Sequence, residues 1–199
     1  MSYSVILCDL GGVLVHVEAD RFIHQLAQLM NRSFEDVHRV VYEDELLLPF
    51  ELGQISPQAY YEGLTRRLGL RWTFEQFAKT WNELLQENIE AVSLVRRLKA
   101  RCRVFALSNT NVLHLDYMRA FRSLDFFDGW VASCDVGLRK PDLQIYRVAL
   151  TRAGATSEEA IYIDDRPELV EAGRRAGLTA IRFEHPQQLT QELTALGVA

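Results

Sequence analysis

The sequence predicts an α/β fold, a Rossmann-like parallel sheet core with an α-helical cap inserted into it. Three observations lead there. Five short β-type runs are apolar throughout rather than alternating, as in strands covered on both faces. Helical patterns separate the later runs, and strand–helix alternation gives parallel strands joined by right-handed crossovers. A long stretch between the first and second runs carries helix signals and no convincing strand.

The first run, Val5–Cys8, stops at Asp9 and enters a turn at Gly11-Gly12. In open α/β sheets ligands bind just outside the carboxyl ends of the strands. An acid there is a candidate nucleophile or metal ligand. From about His16 to Glu90, Ser33 with Asp36 and Thr73 with Gln76 read as capping boxes, and Ser56-Pro57 opens a helix that Gly69 closes. Four helices are expected in this stretch, far more chain than a crossover needs. The expected division is a core of residues 1–15 and 91–199 with a helical cap over 16–90. The remaining runs are Val104–Leu107, Trp130–Ser133, Ala160–Ile163 and Thr179–Phe183. Pro141 can take the first helical position of PDLQIYRVALTRAG, with Gly154 just past its end. Pro167 and Gly177 bracket PELVEAGRRAG in the same way.

Bulk properties exclude several classes. The 199 residues suffice for one α/β domain with a modest insertion. A net charge of −5, with no basic stretch beyond pairs such as Arg66-Arg67, argues against a nucleic-acid partner. No apolar run approaches the roughly 20 residues of a membrane span. The N-terminus has neither the basic region nor the cleavage site of a signal peptide, so a cytoplasmic protein is expected. Cys8, Cys102 and Cys134 form no CxxC pair and read as buried free thiols. Of 22 basic residues 19 are Arg, which makes Lys79, Lys99 and Lys140 individually informative.

Four of the runs end in, or lead to, polar groups. The first ends at Asp9 and the second in Ser108-Asn109-Thr110-Asn111. The fourth ends in Asp164-Asp165, and a loop containing Lys140 follows the third. Singly, each has an ordinary explanation as a turn or cap residue. Together, at one edge of a parallel sheet, they gather three carboxylates, a hydroxyl with an amide, and one ammonium. Clustered carboxylates repel unless a cation sits among them. Oxygen ligands of this kind suit Mg²⁺ bound together with a substrate phosphate. A carboxylate can accept a phosphoryl group, while a hydroxyl and a Lys offset charge on its oxygens. The set reads as phosphoryl transfer to Asp9 from a small phosphorylated substrate.

At these residues the chain resembles the haloacid dehalogenase-like (HAD) hydrolase superfamily over essentially its whole length. The resemblance rests on four ordered motifs: DLGGVL at 9–14, LSNTN at 107–111, GLRKPD at 137–142 and YIDDRPELVEAG at 162–173. ELGQIS at 51–56 resembles a segment of the small helical caps in this family, among them bacterial sugar-phosphate phosphatases of the glucose-1-phosphate type. The resemblance implies that Asp9 is the nucleophile. It implies Mg²⁺ held by Asp9, the Gly11 carbonyl and Asp164, with Asp165 in support. Ser108 and the Asn109 backbone N–H would bind phosphoryl oxygens, and Lys140 would neutralise nucleophile and phosphate.

The chain departs from the family at Gly11, where its phosphatases usually carry a second Asp that protonates the leaving group and then activates water. Such acid–base catalysis contributes ~10²–10⁴-fold. Three readings follow: a phosphatase that manages without that Asp or replaces it, with His16 as a candidate; a non-catalytic phosphate-ligand binder; or a metal-independent 2-haloacid dehalogenase. Tyr42, Glu51, Trp72 and Trp81 of the cap either face the site or pack the cap helices together.

Overall fold

The computed structural model describes residues 3–43 and 45–198. In chain order it runs β1 (Val5–Cys8), β2 (Val15–Val17), α1 (Ala19–Met30), α2 (Phe34–His38), α3 (Leu47–Glu51), α4 (Pro57–Leu68), α5 (Phe74–Asn82) and β3 (Leu85–Glu87). Then follow α6 (Ile89–Arg97), β4 (Arg103–Ser108), α7 (Val112–Arg119), β5 (Gly129–Ala132), α8 (Ser133–Val136) and α9 (Leu143–Ala153). The chain closes with β6 (Ala160–Asp164), α10 (Pro167–Arg175), β7 (Thr179–Arg182) and α11 (Pro186–Ala195).

All five predicted runs pair as one parallel sheet in the order β5-β4-β1-β6-β7. Successive side chains on a strand alternate between faces, and both faces are covered. Ile6, Cys8, Val104, Ala106, Ile161 and Ile163 meet α6 and α11 through Val92, Val95, Leu189 and Leu193. Val5, Leu7, Phe105, Leu107 and Tyr162 meet Ile145, Tyr146 and Ala149 of α9. β1 lies at the centre, where connections leave in opposite directions, so the crevice outside its carboxyl end is the natural ligand site.

The insertion has its own core. Phe22, Ile23, Val37, Val41, Phe50, Tyr60, Leu64, Phe77 and Trp81 form one buried cluster, on which Val112 and Leu113 of α7 also pack. The three predicted caps form, but Ser33 with Asp36 is a one-way cap and not the expected capping box. Thr73 and Gln76 make a reciprocal capping box, Ser33 accepts from Asp36 N at 3.1 Å, and Ser56 accepts from Ala59 N at 3.1 Å.

Four expectations need correction. Residues 16–90 do hold strands: β2 pairs antiparallel with β3, and the expected boundary after residue 15 falls inside β2. Three-residue strands are too short to show a period. The stretch holds a fifth helix, α3, which has no side-chain cap and carries Pro49 in its interior. Residues 39–43 continue α2 as a π-turn. Pro141 is not the first helical residue of α9, because the Asp142 side chain accepts from Gln144 N at 2.8 Å and the helix starts after it. The segment after β5 is likewise not all loop, since Ser133–Val136 is helical.

The insertion docks on the core where α3 ends. Ser133 Oγ donates to the Glu51 carbonyl at 2.7 Å, and it accepts from Thr110 N at 2.9 Å. A Cβ on Gly53, whose φ is +67°, would collide with the backbone carbonyl of Cys134. Gly69 has φ +73° but open space around it. Gly53→Ala should therefore lower unfolding free energy by about 2–4 kcal/mol, combining backbone strain with overpacking. Gly69→Ala should cost only about 1–2 kcal/mol. Equal costs in urea unfolding would mean that the close approach at Gly53 is not maintained in solution.

Candidate active site

Each acid of the site reaches the same edge because its strand is parallel to its neighbours. Asp9 follows β1, and its N–H extends the ladder to the Ile163 carbonyl at 2.9 Å. Asp164 is the last residue of β6, and Ser108 is the last of β4. One carboxylate oxygen from each of Asp9, Asp164 and Asp165 lies within 4.8 Å of the other two. A Cβ on Gly12 would run into the Asp165 carboxylate, so the Gly11-Gly12 turn packs directly against it.

Lys140 comes from the loop between α8 and α9, and its side chain is 1% exposed. Its Nζ stands 3.0 Å from Asp9 Oδ1 and donates to Asp164 Oδ2 at 2.6 Å. It also lies 5.5 Å from the centre of the Tyr162 ring. Tyr162 donates its hydroxyl to the same Asp164 oxygen, and Arg166 N donates to the other at 2.9 Å. Leu10 N donates to Asp9 Oδ1 at 2.8 Å.

Asn109 holds the lysine loop in place. Its Nδ2 donates to the Lys140 carbonyl at 2.9 Å, and its Oδ1 accepts from Lys140 N at 2.8 Å. The side chain is thus spent on positioning Lys140. Ser108 is buried at the cavity wall, and its hydroxyl makes no hydrogen bond among the described residues.

Burial pushes the Asp9 carboxyl up to about 7, Lys140 pulls it back and Asp164 pushes it further. Burial also lifts Asp165, with Asp164 adding to the effect. For Lys140, burial acts downward, but Asp9 and Asp164 together outweigh it and the ammonium is favoured. Asp9 and Asp164 share this ammonium and the half-buried Asp165 adds a third carboxylate beside them, so negative charge is in excess. An all-oxygen set with unbalanced negative charge fits a hard divalent cation.

Asp9, Gly11, Ser108 and Lys140 floor a cavity of about 210 Å³. Its walls are largely apolar and include Val15, Leu47, Trp81, Leu85, Met118 and Leu169. Of the four cap residues singled out in the sequence, Tyr42, Glu51 and Trp81 line the cavity. Trp72 does not, and it packs with the insertion's own core near Phe22. His16 is exposed on β2 opposite Gln86 and is not on the cavity wall.

The matching family model, haloacid dehalogenase-like hydrolase, covers residues 3–177. The chain belongs to the haloacid dehalogenase-like hydrolases. A sesquiterpene phosphatase of Aspergillus oryzae is 27% identical, over 98% of this chain and 97% of its own. A D-ribitol-5-phosphate phosphatase of Bacteroides thetaiotaomicron is 22% identical, over 96% and 97%. Among solved structures, a HAD family enzyme of Bacteroides thetaiotaomicron in complex with magnesium and inorganic phosphate superposes with TM-score 0.82 at 24% identity, covering 92% of this chain and 95% of that one. The parallel core flanked by helices is the fold of these hydrolases. Among the described residues no helix is long and apolar enough to cross a membrane.

Two cavity residues were not evident in the sequence. Arg166 caps Asp164 through its backbone, and only its place after the Asp pair marked it. His114 Nδ1 faces Asn111 Nδ2 at 3.3 Å, and its Nε2 donates to the Trp81 carbonyl at 2.9 Å. The ring also stacks on Trp81 at 5.1 Å, tying α7 to α5. Asn111 Oδ1 already accepts from His114 N, so its amide presents a donor to Nδ1 and the neutral ring fits. Burial lowers this imidazole from 6.5 to about 4. The folded state therefore binds fewer protons here, and the stability this histidine contributes is present above about pH 6.5 and lost as pH falls towards 4. Wild type should lose up to about 3 kcal/mol more than His114→Gln between pH 7.5 and 4 in urea unfolding. Parallel losses in the two proteins would show that the imidazole is not held neutral.

Proposed function

We propose that this chain is a Mg²⁺-dependent phosphatase of small phosphorylated metabolites, sugar phosphates among them, acting through an aspartyl-phosphate on Asp9. The observation that carries the reading is the buried Lys140 ammonium set between Asp9 and Asp164, with a third carboxylate beside them. Asp9, Asp164, Asp165 and the Gly11 carbonyl would hold Mg²⁺, which when bound supplies positive charge to the phosphoryl oxygens. The relatives support a phosphatase, and the size of the cavity supports a small ester.

In this reading Asp9 attacks phosphorus with the carboxylate oxygen that the Lys140 ammonium orients. Lys140 and the Ser108 hydroxyl hold phosphoryl oxygens, and the Asn109 N–H supports them. The Asn109 side chain keeps Lys140 at the right depth. The insertion from β2 through β3 serves as a cap that covers the reacting group and excludes water, on the core that carries the parallel sheet.

The test is phosphate release from p-nitrophenyl phosphate and from a panel of sugar and polyol phosphates. Release should require Mg²⁺, stop on chelation and return on adding the ion back. Asp9→Asn should abolish it, and Lys140→Ala should lower kcat by about 10²–10³-fold. Release that survives Asp9→Asn would remove Asp9 as the nucleophile. Phosphate binding without release from any ester would make the chain a binder.

A further inference from the structure

Hydrolysis through Asp9 needs a proton given to the leaving oxygen and another taken from water. Gly11 offers no side chain for either. Among the described residues, the titratable side chains on the cavity wall are Asp9, Tyr42, Glu51, His114, Lys140 and Arg166. Asp9 is the phosphoryl acceptor, and Lys140 is fixed between two carboxylates. His114 has both ring nitrogens engaged. The Arg166 guanidinium turns to Glu168, at 2.8 Å from its Nε. Burial, with Asp20 and Glu51 nearby, lifts the Tyr42 hydroxyl to about 12, too high for it to act as a base near neutral pH.

Glu51 remains, and its surroundings suit the task. It ends α3 and is held to the core by Ser133 on its carbonyl and by the close approach of Gly53 to Cys134. Its side chain is 18% exposed. Arg139 Nη1 stands 3.2 Å from Oε2, which is buried and accepts no hydrogen bond, and no described group hydrogen-bonds to Oε1 either. Burial raises this carboxyl, Arg139 and Arg166 oppose the rise, and the net displacement is upward. A carboxyl displaced towards neutrality is what an acid working near pH 7 requires.

We propose that Glu51 is the catalytic acid and base of this phosphatase, entering the cavity from the insertion in place of the side chain that Gly11 lacks. The inference rests on the reading of Asp9 as nucleophile. In the first step an Asp9 oxygen bonds to phosphorus and the bond from phosphorus to the leaving oxygen breaks. The leaving oxygen keeps that electron pair and takes the proton of the Glu51 carboxyl. In the second step Glu51, now a carboxylate, removes a proton from water as the water oxygen bonds to phosphorus. The bond to Asp9 breaks with its electron pair returning to Asp9, which frees phosphate and restores the Glu51 acid.

The experiment compares wild type with Glu51→Gln in saturating Mg²⁺ on p-nitrophenyl phosphate and on simple alkyl phosphates. Wild type should turn over both classes. In Glu51→Gln, kcat/KM on alkyl phosphates should fall about 10²-fold or more. The fall on p-nitrophenyl phosphate, whose leaving group needs no proton, should be smaller by at least a factor of about ten. The variant should also release a burst of nitrophenolate equal to the enzyme present, because water is no longer activated. Adding Gly11→Asp to Glu51→Gln should restore alkyl turnover, since a Cβ at Gly11 meets only Val17 Cγ2, at 3.4 Å. Equal falls on both substrates without a burst, reproduced by Arg139→Gln, would overturn the proposal and reduce Glu51 to a tether. Wild type that turns over aryl but no alkyl phosphates would overturn it too. Loss of Asp9 dependence on the aryl substrate would instead sink the nucleophile reading, and this inference with it.

Discussion

The Lys140 ammonium between Asp9 and Asp164 is the contact on which the site depends. An unpaired buried charge is costly, and removing one partner from a buried ion pair typically costs about 3–5 kcal/mol. Neither Asp could stand so close to the other without the ammonium, and the ammonium could not be buried without them. Sheet order makes the arrangement demanding. β1 and β6 are neighbours, so their acids emerge side by side. The lysine follows β5 at the far edge and must reach across the end of β4. Asn109, the first residue after β4, meets the lysine backbone there with two hydrogen bonds. The apolar strands and the helices on both faces supply a scaffold stiff enough to hold unlike charges at these separations.

The same edge receives the insertion, through polar contacts beside the apolar packing of Val112 and Leu113. Ser133 links Thr110 to the Glu51 carbonyl, Arg139 pairs with the Glu51 carboxylate, and His114 joins Asn111 to the Trp81 carbonyl. Residues 133, 139, 111 and 114 all belong to segments that leave the carboxyl ends of β4 and β5. The strand ends that carry the reactive groups therefore also carry the sockets for the insertion. Seating the insertion and enclosing the cavity are one event structurally, and the low dielectric that follows strengthens the electrostatics inside.

What the sequence revealed follows from interaction range. The parallel strands were legible because burial on both faces demands uninterrupted apolar runs, and because each run ended in a group that burial does not explain. Asp9, Ser108, Lys140 and the Asp164-Asp165 pair were legible for the same reason. β2, β3 and α3 were not, since short elements carry too few residues for a period and rely on partners far away in sequence. The Asn109 clamp, 31 residues from its partner, leaves no local trace. His16 looked plausible only through nearness in sequence to Asp9; strand alternation turns it outward on β2. Glu51 stood out in the ELGQIS segment and as one of four cap residues that could face the site, but its setting was not legible, because its ion pair with Arg139 and the carbonyl contact with Ser133 exist only once the insertion has folded onto the core.

A carboxyl supplied by the insertion differs in consequence from one supplied two residues after the nucleophile. An acid on the β1 turn is in place whether the cavity is open or closed. An acid on α3 reaches the reacting oxygen only while the insertion is seated, so proton transfer and exclusion of water become a single condition. Premature attack by water on the aspartyl-phosphate is then limited by the same contacts that admit catalysis. The arrangement also frees the Gly11 position to be small, which keeps the turn close beneath the cavity and leaves room at its floor. Substrate choice and proton transfer would then be set by one short segment of the insertion, so changes around Leu47–Glu51 would alter both together.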